Sequence, residues 1–221
     1  MFNFCAPCNL NDLQSETFPD GKRFYTLPDG TRVPSVTTVL GARPKEALMK
    51  WRKEIGEVQA NAITKKSTSR GTNMHKICED YINNKPEYLK GVMPDAQEMF
   101  KSIKPLIDKH VTDIWYQETA LWSKKLNMAG RVDLIAHWDG VLSIIDFKTS
   151  NKIKKREYVL DYFLQETTYA LMLEEMINIP VNQIVTLIAV VDEKPQVFIE
   201  KTEDHINALV EAINYYNKNK K

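Results

Sequence analysis

The strongest constraint on the fold is the dipeptide Asp139-Gly140, set between two strand-like runs, Arg131 to Trp138 and Val141 to Lys148. Asp-Gly between apolar-rich runs is the signature of a two-residue hairpin loop, whose central residues adopt positive φ. A tight turn fixes the register: Trp138 faces Val141, Ala136 faces Ser143, and Asp133 lies directly opposite Asp146. Opposed side chains have Cβ atoms about 4.5–5.5 Å apart, and like charges in that position are destabilising. Alternation along each strand puts Arg131, Asp133, Ile135 and His137 on one face with Leu142, Ile144, Asp146 and Lys148. Val132, Leu134, Ile145 and Phe147 are left for the other face.

Two carboxylates held together need a cation. A divalent ion answers this best, since Mg²⁺ takes oxygen ligands, typically one or two carboxylates with water and phosphate oxygens. The plainer alternative is a surface charge cluster in which Lys148 and Arg131 neutralise the two aspartates. On this reading alone Asp133, Asp146 and Lys148 are the candidate catalytic set.

The rest of the chain supplies a frame. Residues 1–20 read as irregular, and Arg23 to Leu27 with Thr31 to Val33 flank Pro28-Asp29-Gly30 as a short hairpin. Ser35 is placed to cap a helical turn. Pro44 to Lys65 has helical composition, with Ala47, Leu48, Trp51, Ile55 and Val58 on one apolar stripe and Trp51 read as core. Ser67 to Arg70 is expected to interrupt, before a second helix over Gly71 to Asn83. Asp95-Ala-Gln-Glu98 has the form of a capping box opening a third. Strand signals follow at Ile114 to Trp122, then the hairpin, a helix over Tyr158 to Ile177, a buried strand over Ile184 to Val191, an edge strand over Gln196 to Lys201 and a closing helix over Glu203 to Asn217. This order predicts an α/β (α+β) fold, one domain over 1–221 with a helical section in 1–111 and a sheet core in 112–221.

Composition excludes several classes. At 43% hydrophobic and 27% charged residues the chain is an ordinary globular one, and its net charge of +1 rules out bulk electrostatic coating of nucleic acid. No apolar run is long enough to span a membrane, and Asp12, Glu16 and Asp20 argue against a transit peptide. A cytoplasmic setting, bacterial or in a phage-infected cell, is expected. Cys5, Cys8 and Cys78 are too few for a disulfide framework, and Cys5-x-x-Cys8 lacks the four ligands of a structural zinc or an iron–sulfur cluster. Two incidental thiols on a mobile terminus is the favoured reading.

Further polar pairs sit at helical spacing: His75 with Glu79, and Gln165 with Tyr169. Arg70-Gly-Thr-x-x-His75, Gly130-Arg-Val-Asp133, Ile145-Asp-Phe-Lys148-Thr149 and Gln165-x-x-x-Tyr169 make four motifs in that order. This pattern resembles the RecB-type nucleases of the PD-(D/E)XK superfamily. Pro34-Ser-Val-Thr-Thr-Val-Leu40, with Trp51 and Gly56, is similar to the mitochondrial genome maintenance exonucleases and their phage relatives. The resemblance implies a restriction-endonuclease-like core with a central mixed sheet and an Mg²⁺- or Mn²⁺-dependent deoxyribonuclease without an iron–sulfur cluster. It implies His75, Asp133, Asp146 and the Phe147 carbonyl as metal ligands. Lys148 would orient or deprotonate the attacking water, with Glu118 as a further acidic group.

The same resemblance implies that Gln165 and Tyr169 hold the motif and the DNA backbone, and that Thr149 and Ser150 contact phosphate. Arg70, Lys152 and Lys154 are candidate substrate contacts, the last two because they follow the catalytic strand at once. Lys155 and Arg156 continue that basic run. Lys45, Lys50, Arg52, Lys53, Lys65 and Lys66 are read as a solvated face, diluted by Glu46, Glu54 and Glu57. Tyr158 and Tyr162 are candidates to stack bases. The expected substrate is DNA with single-stranded ends, cut exonucleolytically in replication, recombination or repair, with proteins of those processes as partners. An endonuclease on duplex or structured DNA and a non-catalytic nucleic-acid-binding module are the competing readings.

Overall fold

The Asp139-Gly140 turn is tight: φ is 51° and 79°, Trp138 faces Val141, and pairing continues to Leu134 opposite Ile145. The structure is a computed structural model that describes residues 1–44 and 46–220. Lys45, Lys221 and the side chain of Ala47 lie outside the described residues.

Three short strands open the chain, β1 (Gln14–Thr17), β2 (Arg23–Thr26) and β3 (Arg32–Pro34), forming an antiparallel sheet. Helices α1 (Val36–Leu40), α2 (Glu46–Ile55), α3 (Glu57–Ile82) and α4 (Pro94–His110) follow. The main sheet consists of β4 (Val111–Ser123), β5 (Met128–Trp138), β6 (Val141–Ser150), β7 (Gln183–Val190) and β8 (Gln196–Lys201) in that order. Only β6 and β7 pair in parallel. Parallel neighbours need a long crossover, and α5 (Leu160–Ile177) provides it. The last helix is α6 (Ile206–Asn219).

Two apolar layers enclose this sheet. Ile135, Ile144, Ile184 and Ile188 pack on Phe163, Leu164 and Leu173 of α5, with α1 and α6 behind. On the other face Leu134, Trp138, Ile145, Phe147 and Leu187 meet Ile77 of α3 and Phe100 and Ile103 of α4. The result is a mixed α/β sandwich with the restriction-endonuclease-like arrangement. No helix among the described residues is long and apolar enough to cross a membrane.

Several expectations are corrected. Residues 1–20 are not all irregular: β1 pairs with β2, and Asn3 and Cys5 hydrogen-bond Ile114 at the outer edge of β4. The terminus carrying Cys5 and Cys8 is therefore pinned, with Cys8 Sγ 3.3 Å from the Tyr116 hydroxyl. The helix break falls at Gly56, not at Ser67 to Arg70. Gly56 has φ 83° and ψ 151°, a conformation open essentially to glycine alone. Within the long α3, the weak helix propensities of Ser67, Thr68 and Ser69 are overridden by its packing further along. The expected apolar stripe of the preceding segment is not core: Leu48 is 45% and Val58 87% exposed. The capping box does not form either. Met93 caps α4, Pro94 takes the first helical position, and Asp95 accepts from the adjacent Ala96 N–H.

The largest correction concerns the faces of β5. Met128 and Val132 pack on the α5 side together with Ile135, so alternation reverses sense around Asp133. Opposite it on β4, Tyr116 and Leu121 share the α5-side cluster, so the reversal falls around Glu118, whose φ is 47°. Arg131 is thereby turned away from the Asp133 patch. Its guanidinium bonds the Glu118 carbonyl and the Asp12 carboxylate.

Candidate active site

The reversal places side chains where the β5–β6 ladder has ended. Beyond Leu134–Ile145 the two strands no longer pair, and the Asp133 carboxylate enters the gap, accepting the Phe147 N–H at 2.9 Å. From α3, His75 brings Nδ1 to 3.3 Å from the same carboxylate oxygen. Glu118 approaches from β4. One ligand atom each from His75, Glu118 and Asp133 lie within 4.8 Å of one another. A strand residue directs its N–H and C=O to the same neighbour, so the Phe147 carbonyl opens on the Asp133 side as well.

Electrostatics follow from crowding. Burial raises the Glu118 carboxyl and nearby Asp133 adds to it, bringing its pKa to about 7. Burial likewise dominates at Asp146; Lys148 opposes it and Asp133 reinforces it, leaving a pKa of about 6. At Asp133 burial is the largest influence, but His75, Lys148 and the Phe147 N–H together outweigh it and hold the carboxyl below its ordinary value. Burial disfavours a charged His75, but Asp133 more than compensates and the ring's pKa is raised. Burial also works against the Lys148 ammonium, yet Asp146 and Asp133 raise its pKa, so it is protonated at neutral pH.

Lys148 pairs with Asp146 and lies 5.1 Å from the centre of the Tyr162 ring. Asp146 is 1% exposed, and among the described residues its Oδ1 has no hydrogen-bond partner. A buried carboxylate oxygen left unpaired is costly. The two carboxylates and imidazole of the His75–Glu118–Asp133 cluster are a donor set that fits a divalent ion of the Mg²⁺ or Mn²⁺ kind; Asp146, an expected ligand, feels the Asp133 charge but stands outside the group.

Beside Lys148 opens a cleft of about 410 Å³. It is lined by Trp51, Ser67, Arg70, Thr149, Lys152, Lys154 and Tyr162, with Ser150 and Asn151. Trp51 thus faces the cleft and is half-buried, not core. Arg70 is buried and its Nη2 donates to Asn151 Oδ1 at 2.5 Å, tying α3 to the end of β6.

Two expected substrate contacts are engaged elsewhere. Ser150 Oγ donates to the Lys152 carbonyl and receives the Lys152 N–H, stapling its own loop. Tyr169 is 3% exposed and stands beneath the strand, with Gln165 Nε2 3.4 Å from its hydroxyl. A Cβ on Gly130 would meet Tyr169 Cε1 at 2.8 Å and its hydroxyl at 2.9 Å. Gly130 of the second motif and Tyr169 of the last are therefore one contact. Gly130→Ala should destabilise the fold by about 1–3 kcal/mol through overpacking. Denaturant unfolding checks this; a variant within about 0.5 kcal/mol of wild type, on the order of surface-substitution effects, would show that the strand and Tyr169 are not tightly packed here.

Glu166 was missed. It is wholly buried on α5 and accepts from the Thr186 hydroxyl. Its sequence signal was an acid on the apolar stripe Phe163, Ala170 and Leu173.

A mixed sheet between helices, with paired strands parting around buried carboxylates and a lysine, defines the restriction-endonuclease-like nucleases, which work with divalent metal. The model of the PD-(D/E)XK nuclease superfamily matches residues 45–216. The chain belongs to that superfamily. No curated protein matches it at a significant level. Among solved structures it is similar to a crystal structure described as “Putative exonuclease” from Eubacterium rectale, with 13% identity and a TM-score of 0.43. That match covers 68% of this chain and 64% of the other, so the chain spans less than two thirds of that relative's length.

Proposed function

We propose that this protein is a Mg²⁺- or Mn²⁺-dependent DNA exonuclease that hydrolyses phosphodiester bonds from single-stranded ends in replication, recombination or repair, acting as one unit over 1–221. The observation that carries the reading is the meeting of the His75–Glu118–Asp133 cluster and the Asp146–Lys148 pair beside a cleft lined by Arg70, Lys152 and Lys154. His75, Asp133, Asp146 and the Phe147 carbonyl would hold the ion, with Glu118 as a further ligand or acid.

When bound, a divalent ion lowers the pKa of a coordinated water and stabilises charge developing on phosphoryl oxygens. Lys148, protonated and braced by Tyr162, donates to the phosphate or orients the attacking water. Thr149 and the Lys152–Lys154 loop face the backbone, and Trp51 and Tyr162 offer flat surfaces to bases. The exposed ring of Tyr158 lies further along the same loop. An opening of this size lined by aromatic and basic groups suits a flexible strand better than a rigid duplex.

The test is cleavage of labelled linear and circular single-stranded DNA in Mn²⁺. Mononucleotide or short products from the linear form alone support the reading. Cutting of the circle assigns an endonuclease, and binding without cleavage of either assigns a binding module.

A further inference from the structure

Glu166 has no task in the reaction described above. It is wholly buried, Thr186 Oγ1 donates to its Oε1, and its Oε2 has no hydrogen-bond partner among the described residues. Thr186 is the β7 residue opposite Asp146 in the parallel β6–β7 ladder, so Glu166 lies alongside the floor of the site. Tyr162, one turn earlier on the same helix, is the ring over which the Lys148 ammonium sits. Burial and the neighbouring Asp146 carboxylate push the Glu166 carboxyl well above its ordinary value, so in the metal-free site it is held neutral, within electrostatic reach of Lys148.

A purely structural role does not account for this residue. Its neighbours on the stripe, Phe163, Ala170 and Leu173, are apolar and buried, and a polar carboxyl among them is costly unless both its oxygens are paired. One threonine hydroxyl satisfies one oxygen. An apolar side chain here would be the more stable choice.

The charges suggest what the carboxyl is for. In the metal-free site Lys148 has Asp146 as its counter-ion. With Asp146 given over to holding a divalent ion, its carboxylate would no longer be free to balance the ammonium. Lys148 then loses its partner at the stage when it must be held still against the phosphate. We infer that Glu166 is a positioning residue that becomes the counter-charge of Lys148 once Asp146 is committed to metal. Tyr162 supports the ammonium from the same helix face throughout. The inference rests on the nuclease reading and adds to it a residue which that reading leaves idle.

The test is a double-mutant cycle of Glu166→Gln and Lys148→Met, measured as thermal stability in chelator and in saturating Mn²⁺, alongside cleavage kinetics. Glu166→Gln keeps the size of the side chain and an acceptor for Thr186. The expected result is coupling between the two positions that is larger in Mn²⁺ than in chelator, with no loss of stability in metal-free Glu166→Gln. In the kinetics, kcat should fall about tenfold with KM unchanged, as for groups that orient a site from behind. The effect should vanish in the Lys148→Met background.

Coupling of equal size with and without Mn²⁺, or additive losses in kcat, would overturn the inference. A wild-type protein that binds Mn²⁺ but cleaves nothing removes the nuclease reading, while the stability cycle still decides the role of Glu166. Should Glu166→Gln fail to fold, Glu166→Asp carries the same cycle, with a smaller Mn²⁺-dependent coupling expected from the withdrawn charge.

Discussion

Lys148→Ala is expected to lower kcat for DNA cleavage by about 10²–10³-fold, the range for removing one preorganised charged donor from a reaction centre. Mn²⁺ should still bind, and at least as tightly as in wild type. The reason is local: the ammonium competes with the ion for Asp146, so its removal frees that carboxylate. Lys148→Arg should restore little, because a planar guanidinium cannot occupy the point-charge position over the Tyr162 ring in the same way. Single-turnover cleavage together with calorimetric Mn²⁺ titration separates the effects. Equal cleavage by Lys148→Ala would end the proposed mechanism, and loss of Mn²⁺ binding would move Lys148 from catalysis to metal-site integrity.

The second large effect is on metal affinity as a function of pH. Glu118 at about 7 and Asp146 at about 6 are both raised, so each carries a proton that a metal must displace at low pH. Affinity should therefore climb from pH 5 to 7 by on the order of tenfold per unit for each proton displaced. Above pH 8 it should level off.

The stability of the metal-free protein runs the opposite way. Both carboxyls bind protons more tightly folded than unfolded. Their contribution is fully present below the ordinary carboxyl values of 3.8 and 4.5, and is lost as pH rises through about 6 and 7. Chelator-treated protein should melt lower at pH 8 than at pH 5.5 through these groups, with Mn²⁺ restoring more at pH 8. Measuring melting temperature across that range in wild type and in Glu118→Gln/Asp146→Asn decides the matter. The same slope in the double variant would assign it to other groups.

Much of the site was legible because its signals are local. The two-residue loop carries its own backbone preference, and with period-2 alternation it set the β5–β6 register correctly as far as Leu134 and Ile145. The helix over Tyr158 to Ile177 and the buried strand after it were legible for the same reason, as apolar runs of the right length. His75 was legible only through the ordered set of motifs. A lone histidine on a helix has no chemistry of its own until a strand residue such as Asp133 is brought to it.

Other features were hidden because they depend on distant partners. Trp51 looked like core from its spacing, but the Gly56 break turns α2 so that the ring faces the cleft. Tyr169 looked like a substrate contact from its motif, but the close approach of Gly130 buries it as a support.

The Asp133–Asp146–Lys148 set shows where the division lies. Sequence by itself determined that these three side chains come to one place, because a tight turn and strand alternation act over a few residues. Tertiary structure decided what each does there. Around Asp133 and Glu118 both strands reverse their facing, Arg131 swings away to Glu118 and Asp12, and α3 delivers His75 into the opened gap. Such an opening is non-local. It needs the pairing of β5 with β6 to stop while packing from α3 and α5 holds the separated strands in place, and no pattern within either strand encodes that.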